Sequence, residues 1–327
     1  MRMTLRALTA VIGLFAAFAT ANPARAQVYP NRTVTVIVTS APGGLTDVLT
    51  RAVSQRLSQI WGQPVVVENR GGGGHNLAAT AVKSTAPDGY TLLSTETGML
   101  TMQPFLHSQS KLAYAPTDFI PIAGYAASAM ALLTHPSVPA KSVKELIALA
   151  KDKPGAMSYG TSGYGTALHM GALLLEGMTG AKLTAVHYRG ASPALNDVIA
   201  GHINMIIMGP SIALPTVRAG KLNMLGFGSP QRVPEFAEVP TIAETVPGYD
   251  AAVSFGLFAL AGTPRDIVAK INADVRRVID DAQFHAKILE PQVVQPLPGS
   301  PDAFGAYLRD ETAKWSKVIS EAKLQID

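Results

Sequence analysis

Short apolar runs alternate with amphipathic stretches along most of the chain. Positions 33–39 (Thr-Val-Thr-Val-Ile-Val-Thr) are β-branched throughout and predict a strand running into Ser40-Ala-Pro-Gly-Gly44. The stretch 45–61 carries Val48, Val53, Leu57 and Ile60 near helical spacing and predicts a helix. A strand over 64–68 enters the glycine run 71–74, a helix is expected over 78–84, and Asp88-Gly89 turns into a strand at 90–93. The theme recurs with a strand at 130–134 and a helix that the capping box Ser142-x-x-Glu145 opens and Lys153-Pro-Gly155 ends. A strand at 157–160 leads through Thr161-Ser-Gly-Tyr-Gly-Thr166 into a helix reaching Met178. Strand 183–188, helix 191–200 and strands 203–208 and 222–227 follow. After Val253 come one apolar strand, 254–261, and helices at 265–281 and 302–323. This β-loop-α alternation argues for parallel or mostly parallel sheets covered by helices. The C-terminal piece is too short to stand alone and is expected to pack back on the first region. That gives two lobes joined by two crossings: 27–126 with 253–327 as lobe 1, and 127–252 as lobe 2.

The N-terminus departs from the pattern. Residues 1–26 carry Arg2, Arg6 and Arg25 with no acid, an apolar run from Leu8 to Ala19, and the triplet Ala24-Arg25-Ala26. These are the parts of a secretory signal peptide, and the apolar run is too short to span a bilayer. Cleavage is expected after Ala26, which leaves an exported mature chain outside the membrane. The chain's net charge of +4 changes meaning with it. Removing three arginines from the 27 basic residues leaves 24 against 23 acids. No basic surplus remains to suggest a nucleic-acid partner. Hydrophobic residues make up 47% and charged residues 15%, enough for a large core and against disorder. Cysteine is absent, which excludes disulfides, a thiol nucleophile, Cys-ligated metal and a lipid anchor on cysteine.

Three strand–glycine–helix corners carry the candidate chemistry. They are Ala41, Pro42, Gly43 and Gly44 after Ser40; Ser162, Gly163, Gly165 and Thr166 after Thr161; and Arg189, Gly190, Ala191 and Ser192 after Tyr188. Glycine permits the tight turn, and the first turn of each helix offers unpaired N–H groups at the positive end of its dipole, a setting for a carboxylate or phosphate. In α/β sheets such corners lie at the carboxyl ends of strands, where ligands bind. Equally, any parallel sheet uses glycine at tight turns. Asp47, one turn into its helix, either complements the dipole or reaches a ligand donor through water. Arg70 and Arg189 either pair with a ligand carboxylate or brace their loops.

Other chemistries fit less well. No glycine run is followed by Lys-Ser/Thr, and Gly-x-Gly-x-x-Gly fails at both Gly163-Tyr-Gly165 and Gly72-Gly-Gly74, so no nucleotide cofactor is expected. The seven histidines show no metal-ligand spacing. Ser162 misses the nucleophile elbow because Tyr164 stands where glycine is needed, although His169 lies nearby in sequence.

The order and spacing of several short motifs resemble the Bordetella-uptake-gene family, the periplasmic receptors of tripartite tricarboxylate transporters. They include Ala41-Pro-Gly-Gly44 with Asp47 and Arg51, Gly62-Gln-Pro-Val-Val-Val-Glu-Asn-Arg70, Pro87-Asp-Gly-Tyr-Thr-Leu-Leu93 and Tyr188-Arg-Gly190. Val239-Pro-Thr-Ile-Ala-Glu244 and Gly262-Thr-Pro264 extend the match towards the C-terminus. The resemblance implies an α/β, two-lobed, clamshell periplasmic binding fold of type II character with two interlobe crossovers, no enzymatic activity, and no cofactor. It implies capture of a small organic carboxylate, a dicarboxylate or aromatic acid among them, for integral-membrane transporter subunits. It also implies a cleft lined by the three corners. The chain departs from the family's usual pattern at Gly71-Gly-Gly-Gly-His75, at Asn204, and at Ser254, where tryptophan is common. If Ser254 or Met208 borders the pocket, a larger or more apolar ligand is expected. Two rival functions remain: a secreted α/β hydrolase using Ser162 and His169, and a receptor that reports its ligand to a sensor kinase.

Overall fold

The apolar runs become strands β1 (Val34–Val38), β2 (Val65–Asn69), β3 (Thr91–Glu96), β4 (Phe119–Ser128), β5 (Ala131–Thr134) and β6 (Ser158–Thr161). They continue as β7 (Thr184–His187), β8 (Met205–Met208), β9 (Asn223–Phe227), β10 (Val253–Leu260) and β11 (Val294–Pro296). Between them lie α1 (Leu45–Trp61), α2 (Asn76–Lys83), α3 (Val143–Asp152), α4 (Ala167–Thr179), α5 (Ala191–Ile199), α6 (Pro210–Arg218), α7 (Arg265–Ile279) and α8 (Pro301–Glu321). This computed structural model describes residues 29–71, 75–108, 111–188, 190–297 and 299–325. The expected leader, most of the glycine run and Arg189 therefore lie outside the described residues.

Two sheets result, one in the order β11-β4-β10-β3-β1-β2 and the other β7-β6-β8-β5-β9. Each is mixed, where the sequence pattern predicts mostly parallel pairing. β1, β2 and β3 are parallel, but β10 runs antiparallel to β3 and β4. The reason is topological: β10 returns from the second sheet and enters at the end where β3 leaves, so it must point the other way. The chain passes to the second sheet just after β4 and comes back between β9 and β10.

β4 is not visible in the pattern of apolar positions. It contains Pro121 and Gly124, both poor strand residues, yet it pairs along its whole length with β10. The pairing absorbs them through register shifts at Phe255/Gly256 and Leu257/Phe258. The small residues make room for the Phe304 ring. A Cβ on Gly124 would lie 2.8 Å from Leu297 and 3.0 Å from Phe304, and one on Gly256 would collide with the same ring. Phe304 also packs on Phe258, ring centroids 5.5 Å apart. That anchors the first half of α8 on the first sheet. Its second half goes elsewhere, because Trp315 and Ile319 share a core with Leu174 and Leu175 of α4. α8 thus braces both layers. Among the described residues, no helix is long and apolar enough to cross a membrane.

Candidate functional site

The first corner follows β1. Gly43 takes φ 83°, a left-handed conformation that a side chain resists, and Gly44 precedes α1. The α1 N-terminus has no side-chain cap, so its first N–H groups stay open. Below the loop, Asp47 is only 3% exposed. Its carboxylate accepts from Gly43 N at 2.9 Å, from Asn69 Nδ2 at 2.8 Å and from Arg51 Nε at 2.9 Å. Asn69 also donates to Ser40 O at 3.1 Å and accepts from Arg51 Nη2 at 2.7 Å. Burial opposes the Asp47 charge, but hydrogen bonds from Arg51, Gly43 and Asn69 outweigh it and hold the carboxyl below its ordinary pKa. Asp47 therefore shapes the corner from beneath. Gly71 completes the packing: a Cβ there would come within 3.0 Å of the Ser40 carbonyl carbon and 3.1 Å of Ala41 N. Ala41, Pro42 and Gly43 remain exposed above this base.

The second and third corners stand side by side because β6 and β7 are parallel neighbours. Thr161 anchors both. Its carbonyl accepts from Tyr188 N at 3.0 Å, and its Oγ1 bonds His187 Nδ1 at 2.8 Å. Gly163 and Gly165 take φ 134° and 70°, and Thr166 Oγ1 donates back to Gly163 O at 2.8 Å. Gly165 N donates to His169 Nδ1 at 3.0 Å. His169 is 3% exposed, and burial, with a smaller push from His187, lowers its pKa to about 4. The neutral ring is what this bond needs, since imidazolium has no acceptor. Ser162 is half-buried, and among the described residues no hydrogen bond joins it to His169. Gly190, at φ 122°, opens α5, with Ala191 and Ser192 in its first turn; like α4, α5 lacks a side-chain cap. α3 and α8, by contrast, are closed by Ser142 and Ser300.

The first corner lies on one sheet and the other two on the second. The described cations near them are engaged: Arg51 with Asp47 and Asn69, Arg70 with Glu68 at 3.1 Å. Among the described residues, the positive potential left unpaired at these corners is that of backbone N–H groups. Ser254 and Met208 are 1% and 2% exposed, and the Ser254 hydroxyl is bonded to Thr97 and Tyr307. Neither residue opens the site to a larger ligand. Asn204 pairs through its side chain with Ser158 N at 2.8 Å, a structural role. A cavity of about 740 Å³ lies apart from the corners, between the end of α4 and α8, lined by Glu176, Lys182 and Lys317. Among the described residues, no group of three or more metal-ligating side chains converges. Sequence reasoning took His169 as a packing or hydrogen-bonding residue, as found, but passed over Asn69 as a loop support and Glu96, the acid that ends β3; a lone acid following the strand residues 90–93 was the available signal.

Two mixed α/β sheets, joined by crossing strands and carrying uncapped helix N-termini at strand ends, define a two-lobed solute-binding protein. Residues 49–324 match the TctC family, described as the tripartite tricarboxylate transporter family receptor. The chain is 31% identical to protein BugT of Bordetella pertussis, over 99% of this chain and 100% of that one. Among solved structures, Rpa4515 of R. palustris with adipate is 34% identical with a TM-score of 0.79, covering 91% of this chain and all of that one. MatC from Rhodopseudomonas palustris, with bound malate, is 31% identical with a TM-score of 0.74, covering 89% of this chain and 100% of its own. This chain belongs to the tripartite tricarboxylate transporter receptor family.

Proposed function

We propose that the protein is exported, with its leader removed after Ala26, and that it captures a small dicarboxylate in the periplasm for integral-membrane transporter subunits. The observation that carries this reading is the set of three uncapped helix N-termini at the carboxyl ends of strands in both sheets. The corner of Ala41, Pro42, Gly43 and Gly44 holds one carboxylate against the open N–H groups of the first turn of α1, with Asp47 occupying Gly43 N and positioning the loop. Ser162, Gly163, Gly165, Thr166 and the 189–192 corner hold the other end, directly or through water. Lobe 1 comprises 27–126 with 253–327 and lobe 2 comprises 127–252; contact with both by one ligand stabilises the closed state. Adipate and malate in the related structures support a dicarboxylate in first place. The protein performs no chemistry on it. Gly165 N donates to His169 Nδ1, which puts the ring proton on Nε2 and leaves no free lone pair to take a serine proton, and this speaks against a Ser162–His169 hydrolase.

Thermal unfolding with succinate, adipate, malate and their amides tests the reading. A ligand at about 100 times its dissociation constant stabilises by ~2.7 kcal/mol, a shift of a few degrees. An acid that shifts the midpoint while its amide does not supports carboxylate capture. Equal shifts by acid and amide, or turnover of an ester, would refute it.

A further inference from the structure

Glu96 stands out among the acids of the first sheet. It is the last residue of β3, at the carboxyl end of the strand beside β1. The β1–β3 register ends with Val38 opposite Ser94, and the bonds Thr39 N–Ser94 O at 3.2 Å and Thr39 Oγ1–Thr95 Oγ1 at 2.9 Å carry the contact on to the residues just before Glu96 and the first corner. Strand alternation puts Glu96 on the same face as Ser94, which bonds Thr50 of α1 at 2.6 Å. Thr46 lies one helical turn nearer the open end of α1, and its carbonyl accepts from Thr50 Oγ1 at 2.5 Å. Glu96 is largely enclosed by protein yet keeps some solvent contact.

Among the described residues, no counter-charge acts on Glu96. Just beyond β1 stands Ser40, whose Oγ is buried without a partner. Thr46 of α1 is 1% exposed, and its Oγ1 is also unpartnered. Across the ladder, β10 presents Phe255. The nearest charge on α1, Asp47, is turned to Gly43, Arg51 and Asn69. On β4, Tyr125 reaches Ser94. From α8, Tyr307 bonds Ser254, while Glu311 and Lys314 pair with one another. The turn at 97–101 is uncharged. Among the described residues, no ion pair or side-chain hydrogen bond reaches the Glu96 carboxyl, and burial alone pushes its pKa up.

We propose that Glu96 is a ligand-contacting, specificity-determining residue that meets the ligand carboxylate as a neutral acid, donating its own proton, with Ser40 and Thr46 hydroxyls beside it. The inference rests on the proposed capture of a carboxylate at the first corner. An ionised Glu96 would repel that ligand, so binding at neutral pH is coupled to protonation: Glu96–COO⁻ and H⁺ become Glu96–COOH, hydrogen-bonded to the incoming carboxylate. This selects carboxylates over ligands that present an ammonium at this end.

The test is titration calorimetry with adipate, malate and succinate between pH 6.5 and 8.5, on the full chain expressed with its own leader and purified from the periplasm. Wild type is compared with Glu96→Gln, which keeps a neutral donor, and Glu96→Ala, which does not. Thermal unfolding confirms that both variants are folded. Where free Glu96 is ionised, wild-type affinity should fall by up to about tenfold per pH unit, with proton uptake seen as a buffer-dependent heat. Glu96→Gln should bind well at every pH with that slope abolished, and Glu96→Ala should bind more weakly than Glu96→Gln. Loss of binding in Glu96→Gln beside a pH-independent wild type would overturn the inference, making Glu96 an anionic partner. So would identical, pH-independent affinities in all three proteins. If no acid binds the wild type, carboxylate capture itself falls, a result distinct from either of these.

Discussion

Replacing Asp47 by alanine isolates what holds the first corner in shape. The side chain accepts from Gly43 N, Asn69 Nδ2 and Arg51 Nε, all at 2.8–2.9 Å. Arg51 is half exposed, so that ion pair contributes under about 0.5 kcal/mol. The other two are part-buried bonds to a charged acceptor, each contributing roughly 1.5 kcal/mol. Their loss should cost about 3 kcal/mol. With an unfolding entropy of about 0.6 kcal/mol/K for a chain of this length, the midpoint should drop by roughly 5 °C. Asp47→Asn, which keeps a neutral acceptor, should lose about half as much. Hydrogen bonding lowers the folded-state pKa of Asp47, so its stabilisation is complete above the carboxyl's unfolded pKa. It is lost as pH falls through the folded value. The difference between wild type and variant should therefore be full at pH 7 and shrink in acid. Circular dichroism melts over that range supply the stability, and calorimetry with adipate supplies the affinity, which should fall by at least about tenfold because Gly43 no longer has its anchor. A variant that melts within about 1 °C of wild type at pH 7 and binds adipate equally well would refute the clamp.

The second corner carries its own pH signature. With the His169 pKa lowered to about 4, the unfolded chain binds the extra proton first as pH drops below about 6.5, so stability should rise with pH between those values. Urea unfolding of His169→Phe should show a shallower pH dependence there, together with weaker ligand binding from the unpaired Gly165 N–H. Gly71→Ala would press on the Ser40–Ala41 backbone at 3.0–3.1 Å. It should cost about 1–3 kcal/mol and lower affinity, read by melting and calorimetry. Gly124→Ala would crowd Leu297 and Phe304, far from the corners. It should destabilise by a similar ~1–3 kcal/mol while leaving affinity per folded molecule unchanged.

What the sequence made legible was local. The β-branched run 33–39, the Ser142 capping box and the three glycine corners each follow from a few adjacent residues, and the structure forms a strand, a capped helix and strand-to-helix turns there. β4 was hidden because Pro121 and Gly124 are tolerated only through bulges against β10, a partner more than a hundred residues away. Mixed pairing in both sheets depends on where the crossing strands re-enter, which no window of sequence records. α8 reads as one amphipathic stripe, but its two halves serve different cores. In the candidate site, Asp47 was noticed for its place in the first turn, whereas Asn69, which helps fix its role, lies on β2, away in sequence. Glu96 was overlooked for the same reason: its meaning comes from β1, β10 and α1 around it.

The most direct test of carboxylate capture is a crystal structure of the protein with adipate bound. The expected density has one carboxylate within hydrogen-bond distance of the backbone N–H groups of Leu45 and Thr46 in the first turn of α1, and the other end facing the 162–166 and 190–192 corners. Adipate bound instead between Glu176 and Lys317, or at any place where neither corner contributes an N–H, would contradict the account.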